Sequence, residues 1–206
     1  MKKMLENPRI ASVVRVIKPW VTIAVFVLVL RYTGILAGIS SITGAAIIST
    51  GVMDAEPEAP VVTKSFDYNF TLTDLGNNKV DMNQFKGKTI FLNLWATWCG
   101  PCRIEMPSIQ KLYDKVDHDK IAFVMLSLDR AEDKEKVEKF LTDKKHSFPV
   151  YIPAGALPEL LNVPSIPTTF VISPDGRVAS KKVGTANYDT EEFKKFLEDL
   201  SATAKK

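Results

Sequence analysis

The chain has 206 residues, of which 46% are hydrophobic and 25% are charged, as in globular proteins that bury a core. This length allows one ordinary domain and an additional segment. Residues 1–53 carry six basic side chains and one acidic side chain, so the net charge of +3 arises from the N-terminal segment and not from the rest of the chain. A nucleic-acid-binding domain would carry its own basic surface, so this class is disfavoured and no nucleic-acid partner is expected.

The N-terminal segment contains a long apolar run. Residues 20–30 are apolar except for Thr22, and a weaker apolar stretch follows Arg31. Because a bilayer-spanning helix needs about 20 residues, a helix over residues 19–39 is long enough, although it must carry Arg31. The preceding basic residues favour a cytoplasmic N-terminus. We expect an uncleaved single-pass anchor in the inner membrane, with the following domain in the periplasm or extracytoplasmic space.

Two other interpretations of this segment remain open. Small residues such as Ala45 and Ala46 would suit a cleavage site, which would make the segment a removable signal peptide. The segment could also form a helical hairpin that packs on a partner or lies on the membrane surface. Residues 54–60 are acidic and proline-rich and predict an extended linker. The predicted organisation is therefore a cytoplasmic tip with an anchor or signal segment (1–53), a linker (54–60) and a folded domain (61–206).

The folded domain is predicted to alternate strands and helices. Alternating apolar residues between Phe66 and Leu72 predict a half-buried strand or hairpin. Apolar residues recur at helical spacing in three places, 109–116, 137–141 and 193–200. Apolar runs predict buried strands over 89–95 and 121–128. Shorter strands are predicted over 148–152 and 168–172, and residues 178–183 are predicted to pair with the latter as a hairpin across the turn at 173–176. This order predicts an α/β fold with a mixed central sheet and helices on both faces.

The two cysteines of the chain, Cys99 and Cys102, form a Cys-x-x-Cys motif around Gly100 and Pro101. A disulfide between them closes a loop too small to stabilise a fold, so the pair indicates redox reactivity. Unpaired N–H groups and the dipole at a helix N-terminus favour a thiolate, and Pro101 suits the first turn. We expect Cys99 to be the attacking thiolate and Cys102, one turn later, to resolve the mixed disulfide.

A zinc site is the main structural alternative for a Cys-x-x-Cys motif. Structural zinc needs four ligands, and the chain adds to the two cysteines only His118 and His146, which are isolated in the sequence. No metal site is therefore expected.

The run FLNLWATWCGPCRIEMP, residues 91–107, resembles the active-site region of thioredoxin-fold proteins. It is most similar to the extracytoplasmic branch of TlpA, ResA and CcmG-like proteins, over about residues 62–202. The resemblance implies a thioredoxin fold with an added N-terminal hairpin. It also implies that Pro167 is cis and lies beside the cysteines, with Ile166 offering backbone groups to an extended substrate segment. A trans proline at a strand start is the alternative.

Two residues of this run bear on proton transfer. Cytoplasmic thioredoxins have a buried aspartate where this chain has Asn93, which does not titrate. Glu105 matches an acidic residue that ResA-like proteins place near the cysteines. A partly buried Glu105 would have a raised pKa and would exchange a proton with Cys102, whereas an exposed Glu105 would only stabilise the helix dipole.

The aromatic residues beside the cysteines have different expected roles. Trp95 is expected to pack in the core, and Trp98 to line the surface that meets the substrate. The expected substrate-binding residues are Trp98, Gly100, Pro101, Ile166 and Pro167.

Together these features predict an extracytoplasmic thiol–disulfide oxidoreductase that reduces protein disulfides without a cofactor. The resemblance implies apocytochrome c as one possible substrate. A reductant in an oxidising compartment must be re-reduced, so the expected partners are disulfide-bearing proteins, a membrane thiol transporter as electron donor, and the membrane through the N-terminal helix. Two alternatives remain open: a copper-binding assembly factor or chaperone that adds Met106 to the cysteines, and a thiol peroxidase.

Overall fold

The computed structural model describes residues 20–22, 25–26, 54–55 and 62–203. The chain divides into two compact units, Met1–Ala46 and Ile47–Lys206. In the first unit, the described residues are helical, and Trp20 and Phe26 are among their exposed side chains. None of the helices in the described part of the chain has the length and apolar character needed to cross a bilayer. Most of the predicted anchor lies outside the described residues.

The described residues of the second unit form an eight-stranded mixed sheet with three α-helices. The strands are β1 (Val62–Ser65), β2 (Thr71–Asp74), β3 (Lys79–Asp81), β4 (Thr89–Trp95), β5 (Ile121–Ser127), β6 (Val150–Pro153), β7 (Thr168–Ile172) and β8 (Arg177–Val183). The helices are α1 (Gly100–Tyr113), α2 (Lys134–Lys144) and α3 (Glu191–Ala202). The strand order is β1-β8-β7-β4-β5-β6-β2-β3. Strands β4, β5 and β6 are parallel, and the other neighbouring pairs are antiparallel.

The two central strands, β4 and β5, are formed by the nearly continuous apolar runs that predicted them. All seven residues of each strand are buried, because both faces of the sheet are covered. The predicted limits of β4 and β7 are confirmed, and β5 ends one residue earlier than predicted.

The segment from Phe66 to Phe70 departs from its prediction as a strand. Its burial alternates as expected, but the regular strand begins only at Thr71. The Asp67 carboxylate accepts from the Asn69 N–H at 2.9 Å, so local turns replace ladder pairing. Phe66, Tyr68 and Phe70 instead pack as a layer on one face of the sheet.

The prediction of helices on both faces needs correction. The buried apolar residues of α1, α2 and α3 all belong to one cluster on a single face of the sheet. The crossovers β4–α1–β5 and β5–α2–β6 proceed in the same direction across the sheet. Since such crossovers are right-handed, both helices lie on the same side. The opposite face is covered by the Phe66–Phe70 layer and by short 3-10 helices at Met82–Phe85 and Glu159–Leu161.

The first two residues of the predicted linker are bound to the folded unit. The Ala55 N–H donates to the Asn187 carbonyl at 2.8 Å, and Asn187 Nδ2 donates to the Asp54 carboxylate at 2.6 Å. Ala55 is buried in the same cluster as the three helices. These two residues therefore do not belong to a free linker, and residues 56–61 lie outside the described part.

Candidate active site

The cysteine pair lies where β4 ends and α1 begins. Cys99 is the N-cap of α1, and its sulfur accepts a hydrogen bond from the Cys102 N–H at 3.2 Å. Pro101 occupies the first turn, where its missing N–H has no helical partner to lose. The two cysteines are joined by a disulfide of 2.06 Å. The helix start thus directs an N–H group at the sulfur of Cys99, which favours its thiolate when the bond is reduced.

The two cysteines differ in accessibility. Cys99 is 5% exposed, whereas Cys102 is completely buried under the first turn of α1. A reaction partner can therefore reach only Cys99 without opening the fold. The predicted roles, with Cys99 as the attacking residue and Cys102 as the resolving one, require this difference in exposure and stay predictions.

The segment before β7 lies against the cysteines. The Ile166–Pro167 peptide is cis, as the resemblance implied. The Ile166 carbonyl oxygen is 3.8 Å from Cys99 Sγ. This approach is a van der Waals contact, because a disulfide sulfur carries no hydrogen to donate. Ile166 is half-buried and Pro167 is buried.

The surface around Cys99 is formed by exposed, mainly apolar residues. Trp98 is 70% exposed, and Gly100 and Pro101 are also exposed. Sequence reasoning missed Val183, which is 50% exposed and pairs with Thr168 directly after the cis proline. The register of the β7–β8 hairpin would have placed Val183 beside Thr168, but assigning the two strands does not give their register. Trp95 is fully buried, as predicted.

Glu105 is completely buried, not partly buried as expected, and the exposed alternative is wrong. Its Oε1 accepts from Asn93 Nδ2 at 2.8 Å, and its Oε2 accepts from the Ala186 N–H at 3.2 Å. Burial raises the pKa of Glu105 to about 8, and these two hydrogen bonds oppose the rise only in part. Cys102 and Glu105 lie three residues apart on α1, so they share its buried face.

A polar chain continues from Glu105 into the sheet. Asn93 Nδ2 donates also to Thr169 Oγ1 at 2.9 Å, and the Tyr188 hydroxyl donates to the same oxygen at 2.7 Å. All three residues are buried. Thr169 and Tyr188 were missed because they are distant in sequence from Asn93. The pairing of Asn93 with Thr169 in the β4–β7 register is the signal that would have found Thr169.

The loop between β4 and Cys99 is held by another buried carboxylate. Asp129 accepts from the Thr97 N–H at 2.8 Å, the Thr97 hydroxyl at 2.6 Å and the Ser127 hydroxyl at 2.7 Å. Asp129 follows β5, and the carboxyl ends of the parallel strands β4 and β5 meet at the same edge of the sheet. That topology was the available signal for Asp129, and sequence reasoning did not use it.

The side chains considered as metal ligands have other neighbours in the structure. Met106 is completely buried in the apolar cluster beneath α1. His118 stacks on Tyr113 with ring centroids 4.1 Å apart, and His146 stacks on Phe148 at 5.0 Å. Among the described residues, no group of three or more His, Cys, Asp and Glu side chains is arranged to hold a metal ion.

Comparison with known proteins agrees with this geometry. The family model Redoxin matches residues 58–200. A protein named Thiol-disulfide oxidoreductase ResA from a strain of Bacillus cereus is 38% identical over 117 residues, which are 56% of this chain and 66% of that protein. Another ResA, from Bacillus thuringiensis subsp. konkukian, is 34% identical over 134 residues, which are 65% of this chain and 75% of that protein.

A solved structure supports the fold. A thiol:disulfide interchange protein from Bacteroides sp. has a TM-score of 0.57 and 24% identity, and the match covers 71% of this chain and 95% of that one. At this level of identity, the similarity shows only that the two proteins share the arrangement of strands and helices. The sequence matches and the Cys99–Cys102 disulfide, in which only Cys99 keeps some exposed surface, extend the relationship to the chemistry. The chain therefore belongs to the Redoxin family, among the thiol–disulfide oxidoreductases related to ResA.

Proposed function

We propose that this oxidoreductase reduces disulfides of proteins in the periplasm or extracytoplasmic space. The observation that carries the proposal is the site itself: Cys99 at a helix N-terminus, only slightly exposed, linked to a completely buried Cys102 and flanked by exposed Trp98. The Gly-Pro dipeptide between the cysteines is that of the reducing thioredoxins. The apolar surface near the cis proline suits an extended, apolar segment of a protein substrate.

The proposed reaction proceeds in two exchanges. The Cys99 thiolate attacks one sulfur of the substrate disulfide, which forms a mixed disulfide and releases one substrate thiolate. Cys102 then gives its proton to the Glu105 carboxylate and attacks Cys99, which releases the second substrate thiolate and closes the Cys99–Cys102 disulfide. The substrate gains two electrons and the enzyme loses two.

The pKa of Glu105 suits this proton exchange. Burial raises it to about 8, so near neutral pH this carboxyl group can both accept a proton and return it. Glu105 returns its proton when the disulfide is reduced again and Cys102 becomes a thiol.

The proposal includes a membrane location. A single-pass helix within residues 1–53 would anchor the domain in the inner membrane, with the N-terminus in the cytoplasm, as the basic residues and the apolar run suggest. The β2–β3 hairpin would be the N-terminal extension that the family resemblance implies. The electron donor would be a membrane thiol transporter, which a tethered domain meets at high effective concentration. Apocytochrome c is a proposed substrate, by resemblance to the family.

Reduction of insulin by the full-length chain tests this function. With dithiothreitol as electron source, the wild type is expected to accelerate insulin precipitation, and Cys99→Ser is expected to remove the acceleration. Glu105→Gln is expected to keep the activity but to slow the resolving step and change its pH dependence. Asp143→Asn, on the exposed side of α2, is the matched control and should behave as wild type. Absence of activity in the wild type would refute the proposed function.

A further inference from the structure

The side chain of Asn93 is enclosed between β4 and the buried face of α1. Its Nδ2 uses both hydrogens, one toward Glu105 Oε1 at 2.8 Å and one toward Thr169 Oγ1 at 2.9 Å. Its Oδ1 is buried and has no hydrogen-bond partner among the described residues. An unpartnered buried carbonyl oxygen costs free energy. This orientation is therefore favoured only while both N–H groups have acceptors.

The bonds around Glu105 fit its charged form. One carboxyl oxygen accepts from Asn93 and the other from the Ala186 N–H. A neutral carboxyl group also has one O–H that must donate. In the described part of the chain, Asn93 on β4 and Ala186 after β8 are the groups bonded to this carboxyl, and both present N–H. Cys102 faces the same side from α1. The neutral form therefore needs an acceptor that this arrangement does not supply.

We infer that Asn93 is a positioning residue whose side-chain amide flips, so that Oδ1 and Nδ2 exchange places, when Glu105 takes up a proton. In the turned orientation, Oδ1 faces Glu105 and accepts its hydroxyl, and Nδ2 occupies the place without a partner. The proton on Glu105 thus decides which end of the amide is paired. The significance for exchange rests on the proposed function, in which Glu105 takes this proton from Cys102.

Thr169 is suited to both orientations. Its hydroxyl oxygen accepts from Asn93 and from the Tyr188 hydroxyl, which is 2.7 Å away. After the amide turns, the Thr169 hydroxyl can donate its own hydrogen to Asn93 Oδ1 and still accept from Tyr188. The residues behind Asn93 therefore do not need to move.

Asparagine at position 93 can pair with both the charged and the neutral form of Glu105, which an aspartate could not do without adding a second charge. An aspartate at position 93 would place a second carboxyl group within hydrogen-bond distance of Glu105 in a buried site. Two such carboxyl groups share one proton and titrate as a coupled pair. Asn93 instead offers a donor to the charged form of Glu105 and an acceptor to the neutral form, without a charge of its own.

The test is a pH titration of the oxidised full-length chain by NMR, with 15N-labelled asparagine and glutamate labelled at the carboxyl carbon. The Asn93 side-chain NH2 resonances are expected to shift with the same midpoint as the Glu105 carboxyl carbon. In Glu105→Gln this shift should disappear. Asn93→Leu should raise the Glu105 midpoint by about one pH unit, because the hydrogen bond lost to the charged carboxylate is stronger than the one lost to the neutral carboxyl group. Asn162→Leu, an exposed control, should leave the midpoint unchanged.

Two results would overturn the inference. One is Asn93 NH2 resonances that stay constant through the Glu105 titration, and this measurement uses the wild type, so it does not depend on a variant that folds. The other is an unchanged Glu105 midpoint in folded Asn93→Leu. Because the titration uses the oxidised protein and no substrate, its outcome is independent of insulin reduction. If the Asn93 resonances follow the Glu105 titration but the chain has no reductase activity, the proposed function is refuted and this inference is not.

Discussion

Glu105 is a carboxylic acid that the fold has removed from water. It is completely buried, and burial raises its pKa to about 8 despite the two N–H groups that donate to it. In the unfolded chain the pKa of a glutamate is about 4.3. The native state therefore binds this proton more tightly than the unfolded state does, and the free energy of unfolding depends on pH.

The sign of this dependence gives a prediction. Because the folded-state pKa is the higher one, the contribution of Glu105 is greatest below about pH 4.3 and is lost as pH rises to about 8. In Glu105→Gln the side chain does not titrate, so this pH-dependent loss in the free energy of unfolding is absent. Between these values, wild type is expected to lose stability relative to the variant by up to about 1.4 kcal/mol for each pH unit. Urea unfolding of both oxidised proteins at pH 5, 7 and 9 measures the difference. A constant difference would contradict a raised pKa.

Individual residues of the site differ in how far sequence could predict them. Cys99, Cys102 and Pro167 belong to local motifs, and a match to a motif is enough to assign them. The partners of Glu105 were not predictable in this way. Asn93 lies in the same sequence run as Glu105 but on a different element, and Ala186 lies in a loop distant in sequence. Only the packing of α1 on the sheet brings both to the carboxyl group.

At the level of elements, the loop between β4 and α1 is fixed from the side. Asp129, only 6% exposed, accepts three hydrogen bonds, two from Thr97 and one from Ser127. Thr97 immediately precedes Trp98 and Cys99. The end of β5 therefore holds the segment that presents both Cys99 and the exposed indole of Trp98.

Asp129→Asn tests this contact. The amide cannot accept from all three donors, so we expect a loss of about 1–3 kcal/mol in the free energy of unfolding. The loosened loop should raise KM for insulin more than it lowers kcat, and the fluorescence anisotropy of Trp98 should fall. The anisotropy is best read in a background in which Trp20 and Trp95 are replaced by Phe. Asp143→Asn, whose carboxylate pairs with Lys139 on the exposed surface, is the control. Equal behaviour of the two variants would show that Asp129 does not position the loop.

The elements themselves were predicted unevenly, for physical reasons. Fully buried strands such as β4 and β5 leave a nearly continuous apolar run in the sequence. The Phe66–Phe70 layer leaves the same alternation as a strand, since it buries every second side chain, yet it makes no ladder. The placement of three helices on one face depends on strand order, which periodicity does not encode.

For the whole molecule, the proposed anchor predicts membrane association. The full-length chain is expected in the membrane fraction after an alkaline wash, with its folded domain open to protease added to spheroplasts. Leu28→Asp with Leu30→Asp should release it, because each buried aspartate costs about 2.5–3.5 kcal/mol on insertion scales. Leu28→Ile with Leu30→Ile is the matched control. Recovery of the wild-type chain at full length in the soluble fraction would contradict the anchor, and a shortened soluble chain would indicate a cleaved signal peptide.

In the proposed reaction, the burial of Cys102 also determines how the enzyme meets its electron donor and its substrate. A donor that reduces the disulfide must attack at Cys99, because Cys102 is completely enclosed. A substrate that is being reduced is attacked by the same Cys99. Both half-reactions therefore pass through a covalent bond to one sulfur, and donor and substrate occupy it in turn. The expected kinetic scheme is ping-pong, in which an excess of either partner slows the enzyme by occupying the only sulfur that the other can use.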